Sequence, residues 1–223
     1  MNDLVTRFYC LTSFNDLEML MDAKTFIRLN SGSRPMKKIL LVGVAGSSDP
    51  NPYPKAVMKA ERFGAKLAEY RDEVRLLTGG DGGLMRIVSK AFVERGGETI
   101  GIIPLEDEGR SPSHPRYNPY NTIKVKTGVT SQARSIMLVR SCHSFVILGG
   151  GAGTMIEAFL AYLYKIPLIV IEETGYPTDK LKDLAIDGYL DHRKLTKTYF
   201  TKDPEEAAEK AYTLAKSRIT PNQ

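Results

Sequence analysis

The chain has 223 residues, which is long enough to bury a full core and short enough to form one α/β domain. Its 31 Lys and Arg residues and 26 Asp and Glu residues give a net charge of +5, but the two signs alternate along the sequence, which favours a mixed solvated surface and argues against a nucleic-acid partner. The longest apolar runs are far shorter than the roughly 18 residues that a membrane span requires, so we expect no membrane association.

From Lys37 onward, short apolar runs alternate with helical patterns, which is typical of βαβ units. The predicted strands are 38–44, 74–78, 99–103, 123–126, 145–148 and 167–171, and the predicted helices are 53–70, 84–95, 131–141, 154–165 and 203–217. A Pro-, Ser- and Asn-rich stretch at 104–121 is interpreted as a loop that is either mobile or a lid. The sequence therefore predicts a single Rossmann-like α/β domain, with a doubly wound, mostly parallel sheet of about six or seven strands and helices on both faces.

Residues 1–35 do not follow this pattern, and Met36 lies directly before the first predicted strand. A mis-called start codon, a mobile arm and an oligomer-contact helix are the alternatives for this segment. We therefore divide the chain into an N-terminal extension at 1–35 and a nucleotide-binding domain at 36–223.

The predicted helix at 154–165 is almost entirely apolar, with Ala158, Phe159, Ala161, Tyr162 and Leu163 in succession around its circumference. Such a helix is expected to be buried on nearly all sides. Burial in the core and burial in a homodimer or larger homo-oligomer both account for this pattern.

Three predicted strands are followed directly by small residues, in the segments 43–48, 78–83 and 149–154. The carboxyl ends of parallel strands lie along one edge of the sheet, where doubly wound folds bind ligands. Glycine allows the backbone to approach a ligand closely, and the N-terminus of the following helix attracts an anion, so a bound phosphate is expected. The alternative is that each segment is merely a tight turn between strand and helix. The expected phosphate-binding residues are Gly46, Ser47, Gly79, Gly80, Asp81, Gly82, Gly149, Gly150, Gly151, Gly153 and Thr154.

Other cofactor and metal sites are disfavoured by the sequence. GxGxxG and GxxxxGK[ST] motifs are both missing, which argues against a standard NAD site and a P-loop. Cys10 and Cys142 have no CxxC spacing, and the three histidines are far apart, which argues against a disulfide framework and a zinc site. We expect a cytoplasmic protein without a bound metal.

Two further features of the sequence, a T-x-x-E spacing and an arginine, have ordinary explanations when each is taken alone. Thr154 and Glu157 have the T-x-x-E spacing of a capping box, in which both side chains bind backbone N–H groups at a helix start. Arg134 follows the start of a predicted helix and is explained equally well as a surface cation.

Taken together, G-S-S at 46–48, G-G-D-G-G-L-M at 79–85, Arg134 and G-G-G-A-G-T-M-I-E at 149–157 resemble the Lonely Guy family, whose relatives are often mislabelled lysine decarboxylases. The hallmark of that family is PGGxGTxxE preceded by an arginine, and the likeness covers roughly residues 37–172. The resemblance implies a homodimer that cleaves the N-glycosidic bond of nucleoside 5′-monophosphates, releasing a free base and ribose 5-phosphate. It assigns catalysis to Arg134 and Glu157, places the phosphate at 151–154 and requires no cofactor.

Four positions depart from the family pattern. Gly149 replaces the hallmark proline, Ser135 replaces the lysine that usually follows the arginine, and Thr78 and Asp81 alter the second glycine loop. In these details the chain is similar to a prokaryotic branch of the superfamily that also resembles molybdenum-cofactor carrier proteins. That branch implies a non-catalytic carrier or sensor that binds molybdenum cofactor or another phosphorylated pterin or nucleotide. Hydrolase and carrier are therefore the two hypotheses for one site.

Overall fold

The computed structural model describes residues 38–219. The predicted extension at 1–35 lies outside these residues. The strands are β1 (Leu40–Ala45), β2 (Val74–Thr78), β3 (Thr99–Ile103), β4 (Ile123–Lys126), β5 (Ser144–Ile147), β6 (Leu168–Ile171) and β7 (Thr198–Thr201). The helices are α1 (Pro54–Leu67), α2 (Gly83–Val93), α3 (Ser131–Arg140), α4 (Ala152–Leu163), α5 (Leu181–Leu184) and α6 (Pro204–Ile219).

All seven strands are parallel and form one sheet in the order β4-β3-β2-β1-β5-β6-β7. The central strands are continuous apolar runs because both of their faces are covered. The chain proceeds outward from β1 to β4 and then returns to β5 on the other side of β1. This reversal separates the strand ends of β1 and β5 and opens a crevice at their carboxyl ends.

Helices cover the sheet on both faces and divide its core into two layers. Phe63 of α1, Phe92 of α2 and Ala211 of α6 belong to one buried cluster. Leu138 of α3 and Ala161 of α4 belong to the other. The predicted Rossmann-like, doubly wound α/β fold is therefore confirmed. None of the helices within the described residues has the length and apolar character needed to cross a membrane.

The predicted elements differ from the observed ones at three places. Strand β7 and the short helix α5 were not predicted, and the loop after β3 contains a 3-10 turn at Leu105–Asp107. Within one copy of the chain α4 is not buried on nearly all sides, because Ile156, Phe159 and Leu163 are exposed on it, so the core does not account for the pattern and burial in a homo-oligomer stays a prediction. The helix is only 12 residues long, and the sheet and its neighbours cover just one side of it.

The edge strand β4 differs from the central strands because all four of its residues are exposed. Ile123 and Val125 alternate with Lys124 and Lys126 along the strand. β4 pairs with β3 in parallel on one side, and no further strand of the described chain covers its other side.

Gly64 lies in α1 against α2, and the space there limits what can replace it. A Cβ atom at this position would lie 2.7 Å from the carbonyl oxygen of Val88 and 2.9 Å from Cβ of Ala91. We predict that Gly64→Ala destabilises the protein. Replacing glycine in a helix interior gains about 0.5–1 kcal/mol, but overpacking a well-filled core costs about 1–3 kcal/mol.

Urea unfolding of the two proteins tests this prediction through the free energy of unfolding. Gly109→Ala is the control, because a Cβ at Gly109 meets no atom within 4 Å. A Gly64→Ala variant as stable as the parent would show that α1 and α2 separate at little cost.

Candidate functional site

The loops after β1, β2 and β5 surround a cleft of about 610 Å³ at the carboxyl edge of the sheet. This volume lies within the range of small-molecule sites, which is about 300–1,000 Å³. The structure brings eight of the sequence-predicted site residues to its walls. They are Gly46, Ser47, Asp81, Arg134, Gly151, Gly153, Thr154 and Glu157. A groove of about 760 Å³ between α2 and residues 112–120 lies away from the strand ends.

The N-terminus of α4 forms one wall of this cleft. Gly151 is the N-cap residue, no side chain caps the helix, and Gly151 and Gly153 have open space where a Cβ would lie. The backbone N–H groups of the first helical turn have no acceptor within the helix. This wall therefore combines free donors with the positive end of a helix dipole, which suits a phosphate group.

Gly149 and Gly150 lie in the loop before α4, and their hydrogen bonds hold that loop in place. Gly149 accepts a hydrogen bond from Ser47 N–H at 2.8 Å, and Gly150 N–H donates to Thr178 Oγ1 at 3.0 Å. Gly149 has a φ of +111°, and a Cβ there would lie 2.8 Å from Thr174 Oγ1. The hallmark proline could not adopt this backbone conformation, since its ring fixes φ near −65°. The departure at Gly149 is thus a requirement of the local backbone.

Three glycines of the second loop that were predicted to bind phosphate, Gly79, Gly80 and Gly82, pack against protein atoms, and none of the three lines the cleft. A Cβ at Gly79 would collide with the Arg134 guanidinium, one at Gly80 with Ile103, and one at Gly82 with the backbone of Arg116. Gly79 therefore provides the space in which the Arg134 guanidinium lies.

Asp81 is the residue of the second loop that does line the cleft, and it is buried. Its carboxylate accepts hydrogen bonds from Arg110 and from Arg116, whose Nε lies 3.1 Å from Asp81 Oδ1. Both arginines belong to the loop after β3, so Asp81 fastens that loop to the cleft. Sequence reasoning missed this pairing. The one signal for it was a charged residue between glycines, at a position where burial requires a cation partner.

Arg134 of α3 and Glu157 of α4 form a buried pair at the floor of the cleft, with 9% and 7% of their surfaces exposed. Arg134 Nη1 lies 3.6 Å from Glu157 Oε1, and Ser135 Oγ donates to the same oxygen at 2.9 Å. Arg134 Nε and Nη1 are buried without a hydrogen-bond partner in the described chain. Two nitrogens of the guanidinium are thus buried against the protein with their hydrogen-bonding capacity unused.

The capping-box interpretation of Thr154 and Glu157 is wrong. The helix begins at Ala152, which makes Thr154 its third residue and places Glu157 in the second turn. The Glu157 carboxylate extends to α3, where it meets Ser135 and Arg134. Burial raises the pKa of Glu157 above its ordinary value of 4.5, although Arg134 and Ser135 act in the opposite direction.

Comparison with known proteins agrees with this geometry. Residues 39–208 match the model of the SLOG cluster4 family. The chain belongs to the SLOG cluster4 family. The predicted resemblance to the Lonely Guy superfamily, and to its branch with the molybdenum-cofactor carriers, is confirmed by this match and by the structural neighbours.

Two solved structures and one curated sequence illustrate the relationship. TM1055, a structural genomics target, is 32% identical with a TM-score of 0.69, covering 78% of this chain and 99% of its own. The molybdenum cofactor carrier protein of Chlamydomonas reinhardtii is 26% identical with a TM-score of 0.62, covering 79% of this chain and 98% of its own. An uncharacterised protein of Archaeoglobus fulgidus is 28% identical over 124 residues, which are 56% of this chain and 74% of that protein.

The raised pKa of Glu157 predicts how stability depends on pH. Between 4.5 and the pKa of the folded state, the unfolded chain has released the Glu157 proton and the folded chain has not, so stability falls as pH rises through this window. The Glu157→Gln variant has no carboxyl group that titrates at this position, so it does not lose stability in this way. We expect the variant to gain stability relative to the parent as pH increases from 4.5, with the two proteins most similar below that value.

Urea midpoints of both proteins at half-unit pH intervals measure the difference. If the difference between the two urea midpoints stays constant from pH 4 to pH 8, Arg134 and Ser135 compensate fully for the effect of burial on the pKa of Glu157.

Proposed function

We propose that the cleft binds the phosphate of a nucleotide at the N-terminus of α4, and that Arg134 and Glu157 promote hydrolysis of the N-glycosidic bond of a nucleoside 5′-monophosphate. The observation that carries the proposal is the buried Arg134–Glu157 pair beside an uncapped helix N-terminus. Hydrolysis would yield a free base and ribose 5-phosphate, and no cofactor enters the reaction.

The chemical roles follow from the charges that the reaction develops. Cleavage of a glycosidic bond places positive charge on the ribose ring, and a carboxylate close to that ring stabilises it. Burial raises the pKa of Glu157, and the charge of Arg134 acts in the opposite direction, toward the ionised carboxylate. The free donors of Arg134 and of the helix start attract the phosphate, which holds the ribose above the carboxylate.

A second candidate function is that of a carrier, which binds molybdenum cofactor or another phosphorylated pterin or nucleotide without reaction. Two observations favour it. The Chlamydomonas neighbour is a molybdenum cofactor carrier protein. Ser135 stands where the hydrolase pattern has a lysine, and its hydroxyl supplies a hydrogen bond but no charge to Glu157. Both functions use the same phosphate-binding wall.

We also propose that two copies of the chain associate through an apolar face formed by Ile136, Met137, Ile156, Phe159 and Leu163. These side chains lie on α3 and α4 and are 38–48% exposed. Large exposed apolar groups on two adjacent helices are typical of protein interfaces. Ile156 also lines the cleft, so this face and the cleft share an edge.

The hydrolase proposal predicts release of free base and ribose 5-phosphate when the protein is incubated with a panel of nucleoside 5′-monophosphates and the products are separated by chromatography. Glu157→Gln is expected to lower the rate by about 100-fold or more, because an acid–base or charge-stabilising group contributes about that much. Arg134→Ala should lower it as well.

Glu172→Gln is the matched control, since Glu172 is also buried and paired with a cation, Lys182, but lies outside the cleft. Base release by the parent and this control, and not by Glu157→Gln, supports the hydrolase. Absence of release together with thermal stabilisation by molybdenum cofactor or a nucleotide would overturn the hydrolase and support the carrier.

The association proposal predicts that Leu163→Glu converts a dimer into a monomer, because a carboxylate buried in an apolar interface has no partner. Analytical ultracentrifugation measures the mass in solution. Met58→Glu, at an equally exposed apolar residue of α1 on the other side of the sheet, should leave the mass unchanged. A parent protein that sediments as a monomer contradicts the proposal.

A further inference from the structure

Four carboxylates line the cleft, and Glu106 differs from the other three. Asp81 is paired with Arg110 and Arg116, Asp107 with Arg110, and Glu157 with Arg134. Within residues 38–219, Glu106 has no such cation partner. The side chain of Glu106 is exposed, and it brings to the cleft a negative charge that no cationic side chain of the described residues pairs.

Local structure sets the orientation of the Glu106 side chain. Glu106 lies in the 3-10 turn that follows β3, at the carboxyl edge of the sheet. Its Oε1 accepts a hydrogen bond from Ser131 N–H at the start of α3, at 3.2 Å. Oε2 has no hydrogen bond with the described residues. The carboxylate is thus held at one oxygen and keeps acceptor capacity on both, since each oxygen has two lone pairs.

The charges of the cleft determine how a phosphorylated ligand must lie in it. A phosphate would be repelled by Glu106 and attracted by the start of α4 and by Arg134, whose Nε and Nη1 are buried without a hydrogen-bond partner. The end of the ligand that faces Glu106 must therefore supply hydrogen-bond donors. On a nucleotide or a pterin, this end is the base.

We propose that Glu106 selects ligands whose base has the 2-amino-4-oxopyrimidine edge, which is common to guanine nucleotides and pterins. This edge places a ring N–H and an amino N–H side by side, and together they match the two oxygens of a carboxylate in the same way as an arginine fork. Adenine and cytosine place a ring nitrogen acceptor beside their amino group, which a carboxylate repels. Hypoxanthine retains the ring N–H and lacks the amino group.

This inference rests on the proposed phosphate-binding function and names the ligand class for the same cleft. Its test compares dissociation constants by calorimetry, in the Glu157→Gln background so that nucleotides remain intact. The ligands are ribose 5-phosphate, GMP, IMP, AMP, and the phosphates of 6-hydroxymethylpterin and of its lumazine counterpart, in which oxygen replaces the 2-amino group.

We expect GMP to bind about 10-fold more tightly than IMP or AMP, or the pterin about 10-fold more tightly than the lumazine, because each poorer ligand offers the carboxylate one N–H donor fewer. A preference for GMP over IMP and AMP identifies the ligand as a guanine nucleotide, and a preference for the pterin over the lumazine identifies it as a pterin. Glu106→Gln should reduce this ratio to near one, because its amide presents a donor, and should not weaken ribose 5-phosphate binding, because the variant removes a charge that repels phosphate.

Glu108→Gln is the matched control. Glu108 lies on the same loop and also accepts a backbone N–H, from Gly128 at 2.8 Å, but it does not line the cleft. This variant should keep the full preference. The inference would be overturned if the protein with Glu106 bound both members of each ligand pair equally, or if the preference survived Glu106→Gln. In either case, binding of ribose 5-phosphate would still support the proposed function. Failure of ribose 5-phosphate to bind would overturn both.

Discussion

The buried pair of Arg134 and Glu157 constrains much of the surrounding structure. Neither ion could be buried alone, because desolvation of an unpaired charge costs more than a fold of this size can offset. The pair needs α3 and α4 side by side, the hydroxyl of Ser135, and the empty space above Gly79. Even so, the guanidinium keeps donors without partners.

The departures from the hydrolase pattern have physical reasons in the structure. Gly149 occupies a backbone conformation that excludes proline. Asp81, which replaces a residue of the usual glycine loop, binds two arginines of the segment after β3. The second loop has thereby become an attachment point for the segment that carries Glu106. A change in one loop residue is coupled in this way to the position of another wall of the cleft.

The sequence predicted the fold well because parallel strands covered on both faces are continuous apolar runs, and because glycines mark the turns that follow them. It failed at β7, a half-buried edge strand of four residues in which one adjacent Tyr and Phe pair is flanked by Thr, without an apolar run. It also failed where distance along the chain hides a contact. Asp81 and Arg116 are 35 residues apart, and no local pattern links them.

Glu157 shows a second limit of prediction from the sequence. T-x-x-E spacing describes a capping box equally well, and the choice depended on whether residue 151 or residue 154 is the N-cap. Sequence patterns locate helix ends only to within a few residues. A shift of three residues decides whether Glu157 caps its own helix or contacts the neighbouring one.

The exposed strand β4 has a consequence for how copies of this protein meet. An unpaired strand edge is a template for further strands, and uncontrolled pairing there leads to open-ended aggregates. Lys124 and Lys126 place two positive charges on that edge. A second copy approaching with its own β4 would bring four ammonium groups together, so the lysines act as gatekeepers. Open-ended extension of the sheet from one copy to the next is thereby disfavoured.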